Sequence, residues 1–253
     1  MKVPEFLYSI YERRLAREIA RPNIPTHVGI ILDGNRRWAK ALGSSAATGH
    51  RRGADHISEV LGWCEEAGIQ IVTLWMLSTD NLKRSNAELT ELIGIICDAV
   101  ENLAASQRWK IRMIGDLTLV DSQAAQRLQA SQQETSQIEG MTVNVAVGYG
   151  GRQEITNAVR SYLAECAQRG ASLEDVAREV TIADITDHMY TKGQPDPDLI
   201  IRTSGEQRMS GFMLWQTVHT ELYFCEAYWP EFRRTDLLRA LRDYAARERR
   251  MGK

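Results

Sequence analysis

His27-Val28-Gly29-Ile30-Ile31-Leu32-Asp33-Gly34-Asn35-Arg36-Arg37-Trp38-Ala39-Lys40 is the stretch from which the fold is read. Val28, Ile30, Ile31 and Leu32 place four apolar residues in six, which predicts a buried strand; Asp33-Gly34-Asn35 then breaks it and opens a helix. The start of a helix offers unpaired N–H groups and the positive end of its dipole, and Arg36, Arg37 and Lys40 add charge beside it. Those features make an anion site. Asp33 stands in its middle, at the carboxyl end of a strand, where α/β proteins hold their ligands. A carboxylate among arginines points to Mg²⁺, which bridges one or two carboxylates to substrate phosphates. Taken alone, the same residues also fit a surface turn with an Asx cap and a solvated basic helix.

Outward from this stretch, short apolar runs alternate with helix-sized segments. Strands are expected at 69–77, 110–114, 142–147, 198–202 and near 221–225, and a helix at 50–67 with Ile57, Val60, Leu61, Cys64 and Ala67 on one face and Gly68 as its C-cap. Such alternation predicts α/β architecture, with a central, mostly parallel six-stranded sheet flanked by helices. Residues 4–20 form an amphipathic pattern with Leu7, Tyr11, Leu15 and Ile19 on one face, ending at Arg21-Pro22, and a last helix runs over roughly 234–249. With no linker, repeat or low-complexity tract, residues 1–253 read as one domain.

The 253 residues are 43% hydrophobic and 25% charged with a formal net charge of −2, a balance that argues against broad nucleic-acid binding. Cys64, Cys97, Cys166 and Cys225 are scattered, without a CxxC pair, and no HExxH occurs, so neither zinc nor a disulfide framework is indicated. No apolar run reaches membrane-span length and no signal peptide is visible, so a cytoplasmic protein is expected, with the basic amphipathic N-terminal helix as the one segment suited to peripheral contact at the inner face of the membrane.

Three further blocks follow strands. Ser78-Thr79-Asp80-Asn81-Leu82-Lys83-Arg84, with Glu88 four residues on, is a helix-entry loop with Ser85 or Asn86 as cap. Asn144-Val145-Ala146-Val147-Gly148-Tyr149-Gly150-Gly151-Arg152 is a strand running through a Gly-rich turn into a helix. Pro197-Asp198-Leu199-Ile200-Ile201-Arg202-Thr203-Ser204-Gly205-Glu206-Gln207-Arg208-Met209-Ser210-Gly211-Phe212-Met213-Leu214-Trp215-Gln216 continues to Glu221-Leu222-Tyr223-Phe224.

In this order, and with His27, Gly49-His50 and a terminal Arg250-Met251-Gly252, the blocks resemble the cis-prenyltransferases, the undecaprenyl diphosphate synthase family, over nearly the whole chain. These enzymes lengthen an allylic diphosphate with isopentenyl diphosphate in Z geometry. The resemblance implies a hydrophobic tunnel, Mg²⁺, and a homodimer in which the Arg-x-Gly tail reaches the partner's site. It implies that Asp33 and Asn81 are catalytic and that Asp33 and Glu221 hold the metal. Gly34, Asn35, Arg36, Arg37, Trp38 and His50 would receive the allylic diphosphate, Ser78, Thr79, Asp80, Leu82 and Arg84 would line the substrate rim, and Arg202, Arg208, Met209 and Ser210 would take isopentenyl diphosphate through charge-assisted bonds.

Several positions depart from the family pattern. Ala46 stands where an arginine is common, Leu77 where an aromatic is usual, and Leu82, Ser85 and Gly148 replace tryptophan, proline and asparagine. Met76 occupies the place of an alanine that lines the tunnel in long-chain members; its extra bulk implies an early stop, as in actinobacterial Z-farnesyl diphosphate synthases that add one unit to geranyl diphosphate. A long-chain carrier-lipid synthase is the nearest alternative. A silent partner subunit or a member that ionises diphosphate without condensing it are more distant ones.

Overall fold

The Asp33 segment emerges from the middle of a sheet. A computed structural model describes residues 12, 14, 15, 17, 19 and 23–247. Its strands are β1 (His27–Ile31), β2 (Ile71–Trp75), β3 (Lys110–Ile114), β4 (Thr142–Ala146), β5 (Leu199–Arg202) and β6 (Glu221–Phe224). They lie in the order β3-β4-β2-β1-β5-β6, and every pairing is parallel. The sheet is therefore fully parallel, where a mostly parallel one was expected. From β1 the chain lays β2 on one side, moves out to the edge as β3, returns to place β4 between β2 and β3, then crosses back to lay β5 against the other side of β1. The carboxyl ends of β1 and β5 thus flank the point where strand order reverses, the position at which open α/β sheets bind ligands.

Both sheet faces are buried, as parallel sheets require. Val28, Ile30, Val72, Leu74, Val143, Val145, Leu199 and Ile201 enter the larger core, while Ile31, Ala146 and Ile200 enter a smaller one with Tyr149, Phe212 and Met213. Helices α3 (Ile57–Ala67), α4 (Asn86–Ala105), α5 (Ser122–Glu134) and α9 (Arg234–Ala246) feed the larger core; α6 (Gly151–Gln168) packs with α7 (Leu173–Glu179) and α8 (Ile182–Thr186) over a third cluster.

The helix expected over 50–67 is two helices. Helix α2 (Ala46–Asp55) starts earlier and the chain turns at His56, whose Nε2 lies 2.6 Å from the carbonyl of Phe232, before α3 begins. Periodicity missed the break because α2 buries glycine rather than an apolar stripe. Helix α1 (Asn35–Ala41) lies so close that a Cβ on Gly53 would sit 2.2 Å from Asn35 Oδ1 and 2.8 Å from Trp229. Gly68 caps α3 in the left-handed region, as read from the sequence, and of the two caps the sequence offered for α4 it is Ser85 that accepts the Glu88 N–H. Of the amphipathic segment over 4–20, Leu15 is buried and Ile19 packs on the larger core; Leu7, Tyr11 and the Arg250-Met251-Gly252 tail lie outside the described residues. No described helix is long and apolar enough to cross a membrane.

Candidate active site

Register brings the ends of β1 and β5 together: Ile31 pairs with Arg202, and two residues past Ile31 the Asp33 Oδ2 accepts from Arg202 Nη2 at 2.7 Å. Thr203 fixes the turn, its hydroxyl receiving the Asp33 N–H and donating to the Asp33 carbonyl. Arg202 is only 5% exposed and also donates to Ser210 Oγ at 2.8 Å and to the carbonyl of Arg208. Burial works to raise the Asp33 carboxyl, but the hydrogen bond and charge of Arg202, the charge of Arg37 and the Gly34 N–H outweigh it and hold the group below the usual carboxylate range. Asp33 is 30% exposed and is an anion at neutral pH.

Helix α1 has no side-chain cap and no acidic residue in its first turn, so its leading N–H groups remain for a ligand. Arg37 stretches from it to Ser204 Oγ at 2.6 Å and Glu206 Oε1 at 3.0 Å, with Asp33 Oδ1 at 3.4 Å. The Asn35 amide donates to the Leu32 carbonyl, while its Oδ1 is buried without a hydrogen-bond partner. Across the opening, Arg84 is held by Glu88 at 3.1 Å and reaches His50 Nε2 at 3.4 Å; Arg36 approaches the same carboxylate at 3.8 Å. Burial, with the Arg84 and Arg36 charges and against Glu88, pushes His50 down to about 4, so it is a neutral ring at neutral pH.

These groups rim one cleft of about 840 Å³. Its polar wall carries Asp33, Gly34, Asn35, Arg36, Arg37, His50, Ser78, Asp80, Asn81, Arg84, Arg202 and Ser210, all expected from the sequence. Its apolar wall is made by Ile57, Leu92, Ile95, Ile96, Trp229 and the expected Met76. The apolar residues of α4 escaped sequence reading because their helical spacing is that of any core-facing helix. Ser78 and Asn81 form a reciprocal cap: Asn81 Oδ1 accepts the Ser78 N–H at 3.1 Å and Ser78 Oγ accepts the Asn81 N–H at 3.1 Å, which leaves Nδ2 as the donor of the Asn81 amide.

Other expected site residues lie elsewhere. Trp38, Thr79, Leu82 and Met209 do not line the cleft: Leu82 packs on the larger core and Met209 on the Phe212 cluster, whereas Arg208 stands beside the rim, 64% exposed, its carbonyl on Arg202 and its guanidinium on Glu206. Within the chain, Glu221 is corrected as a partner of Asp33. It pairs with Leu199, which pairs with Val28, so it sits at the amino end of the sheet, opposite Asp33, with its carboxylate on Arg247. Glu206, missed as a site residue, grips both Arg37 and Arg208.

The Gly-rich turn shapes the same rim from behind. The Gly151 N–H donates to the Gly211 carbonyl at 2.9 Å, and a Cβ on Gly151 would stand 2.6 Å from that oxygen. The Tyr149 hydroxyl receives the Met213 N–H and donates to buried Glu154, which also takes the Tyr190 N–H and the Gln216 amide, each at 3.0 Å. Burial raises the Glu154 carboxyl despite these donors. The segment that follows Ser210 is thereby anchored to the Gly-rich turn and to Glu154.

A parallel sheet with an anion-binding rim at its switch point and an apolar wall below defines an α/β protein built for an anionic head joined to an apolar tail. The family model described as undecaprenyl diphosphate synthase matches residues 31–252. The chain belongs to that family and is a prenyltransferase. It is 53% identical to the (2Z,6E)-farnesyl diphosphate synthase of Thermobifida fusca over 253 residues, covering 100% of this chain and 98% of that one. It is 54% identical to isoprenyl transferase 1 of Streptomyces avermitilis, over 97% of this chain and 96% of that one. Among solved structures, lavandulyl diphosphate synthase from Lavandula x intermedia, in complex with dimethylallyl diphosphate, matches with a TM-score of 0.84 and 33% identity over 92% of this chain and 100% of that one.

Proposed function

We propose that this enzyme condenses isopentenyl diphosphate with a short allylic diphosphate, geranyl diphosphate by preference, to give a short Z-prenyl diphosphate such as (2Z,6E)-farnesyl diphosphate. One observation carries the reading: a single cleft joins the Asp33–Arg37–Arg202 rim to an apolar wall that includes Met76. Names of relatives support the short product.

Asp33 offers the hard oxygen donor that Mg²⁺ prefers, and no group of three or more His, Cys, Asp or Glu gathers around a common point among the described residues. Such a donor set fits an ion that takes most of its ligands from diphosphate and water, held by Asp33, and does not fit an all-protein cage. Bound there, magnesium would neutralise charge building on the departing diphosphate. Arg37, the N–H groups from Gly34 to Arg37, the Asn35 side chain and the neutral His50 orient the allylic diphosphate. Arg202, Ser210 and Arg208 hold isopentenyl diphosphate beside it. As the allylic C–O bond breaks, the isopentenyl double bond attacks the allylic carbon and a proton leaves the adjacent methylene. An amide is a poor base, and the Asn81 oxygen is already engaged; its free Nδ2 instead fixes a diphosphate oxygen as proton acceptor. Positioning and electrostatics account for most of the catalysis.

Incubation with labelled isopentenyl diphosphate and each of dimethylallyl, geranyl and farnesyl diphosphates should give one dominant C15 product from geranyl diphosphate. Dominant products beyond C30 would instead favour a carrier-lipid synthase. Diphosphate release without isopentenyl diphosphate would favour a non-condensing enzyme. The family resemblance carries a homodimer into the same proposal, and light scattering should return about twice the 28.6 kDa chain mass; a monomer that turns over normally would remove it.

A further inference from the structure

Glu206 belongs to neither diphosphate subsite, yet it occupies an arginine from each. Its Oε1 accepts from Arg37 Nη1 at 3.0 Å and its Oε2 from Arg208 Nη1. Between them the two oxygens of one carboxylate take the place of two anions. The loop beneath is built to hold it there: Ser204 and Ser210 are non-glycine residues at φ 77° and 49°, and Gly205 lies between at 72°. Ser204 and Gly205 donate their N–H groups to the carbonyls of Ala227 and Cys225 at 2.8 and 2.9 Å, which ties the turn to the exit of β6. Left-handed backbone at serine carries strain that the surroundings must over-determine. That bend aims Glu206 back across the rim at Arg37, on a different element 169 residues away.

We propose that Glu206 is a resident stand-in for diphosphate that couples the two substrate subsites. The inference rests on the assignment of Arg37 and Arg208 to different diphosphates made above. An incoming diphosphate on either arginine must displace the shared carboxylate, and a carboxylate released from one side loses half of its hold on the other. The first substrate therefore makes the second site easier to fill, and by linkage the effect is reciprocal. After condensation the same carboxylate competes for both arginines and speeds departure of inorganic diphosphate. Arg37 and Arg208 are 42% and 64% exposed, so each ion pair is partly screened and the coupling is modest.

The test compares Glu206→Gln, which removes the charge, with Glu206→Asp, which keeps the charge on a side chain too short to span both arginines. Inorganic diphosphate with Mg²⁺ is titrated calorimetrically into each full-length enzyme, and the KM for each substrate is measured at low and saturating levels of the other. Expected for Glu206→Gln is about three- to tenfold tighter diphosphate binding, with product inhibition strengthened to match. In wild type a saturating co-substrate should lower the KM of the other; both variants should lose that dependence. Unchanged diphosphate affinity together with retained interdependence of the two KM values would overturn the proposal. Failure of the underlying assignment reads differently: Arg37→Ala and Arg208→Ala would then leave both KM values as they were.

Discussion

An Asp33→Ala enzyme is expected to lose about 10³-fold in kcat while remaining folded. The magnitude follows from what the carboxylate touches. It is the acidic group of the cleft rim that lies within reach of both Arg202, at 2.7 Å, and Arg37, at 3.4 Å, and it is the group proposed to carry magnesium to the allylic diphosphate. Loss of one preorganised electrostatic contact at a developing anion costs about 10² to 10³ in kcat, and loss of a metal anchor belongs at the upper end. Stability behaves differently. Arg202 would lose one of three acceptors but keep Ser210 Oγ and the Arg208 carbonyl, and water can enter where the 30% exposed carboxylate stood. The cost should be about 1–2 kcal/mol, below the 3–5 kcal/mol typical when one partner of a fully buried pair is removed. Asp33→Asn should recover most of that loss and none of the activity, because the amide oxygen can still accept from Arg202 but carries no charge. The sign with pH agrees: a carboxyl held below its usual value contributes stability at neutral pH that disappears only as pH falls through the lowered value. Steady-state kinetics and thermal unfolding check both halves, and an Asp33→Ala enzyme within tenfold of wild-type kcat would refute the assignment.

Strands were legible wherever both sheet faces are buried, because a short continuous apolar run has few other fates in an α/β chain. At the sheet edge, Lys110-Ile111-Arg112-Met113-Ile114 mixes charged and apolar residues and is only partly buried, yet it matches β3 residue for residue; the others differ from observation by two residues or fewer at an end. The polar rim was legible for a different reason: Asp33, Ser78 and Arg202 each stand at or just beyond a strand's carboxyl end, and in a parallel sheet all such ends share an edge. That same rule exposes the error over Glu221. A residue that begins a strand in a parallel sheet belongs to the far edge, and the register of Glu221 with Leu199 puts it there. Long-range pairings left no local trace. Nothing near Glu206 in the chain announces Arg37, and nothing in α2 announces that Gly53 faces Asn35, since a glycine contact has no periodicity to detect. The division between Leu82, which packs against the core, and Asn81, which stayed at the cleft, depends on the short 3₁₀ helix over Thr79–Lys83 that the Ser78 cap starts.

Met76→Ala is expected to shift the product toward longer chains, with C20 and C25 diphosphates appearing from geranyl diphosphate. Met76 follows β2, its N–H on the Ala146 carbonyl, and it lines the same cleft as Leu92, Ile95 and Ile96 of α4. A growing tail gains about 0.8 kcal/mol for each methylene it buries, so the apolar wall rewards elongation until something blocks it. Overfilling a packed site costs about 1–3 kcal/mol, which converts to roughly five- to 150-fold in the partition between another condensation and release. Replacing methionine by alanine removes three heavy atoms where an added unit brings five carbons. The vacated space is thus short of a full unit, and Ile95, buried on α4, still narrows the same cleft. A graded outcome follows: Met76→Ala should yield a mixture in which C15 persists, and Met76→Ala combined with Ile95→Ala should move the maximum further. Methionine is pliable enough to bend away from a ligand, and in that case both variants would return the wild-type product. Reverse-phase chromatography of the dephosphorylated products separates these results, and an unchanged C15 maximum in the double variant would show that this wall does not set chain length.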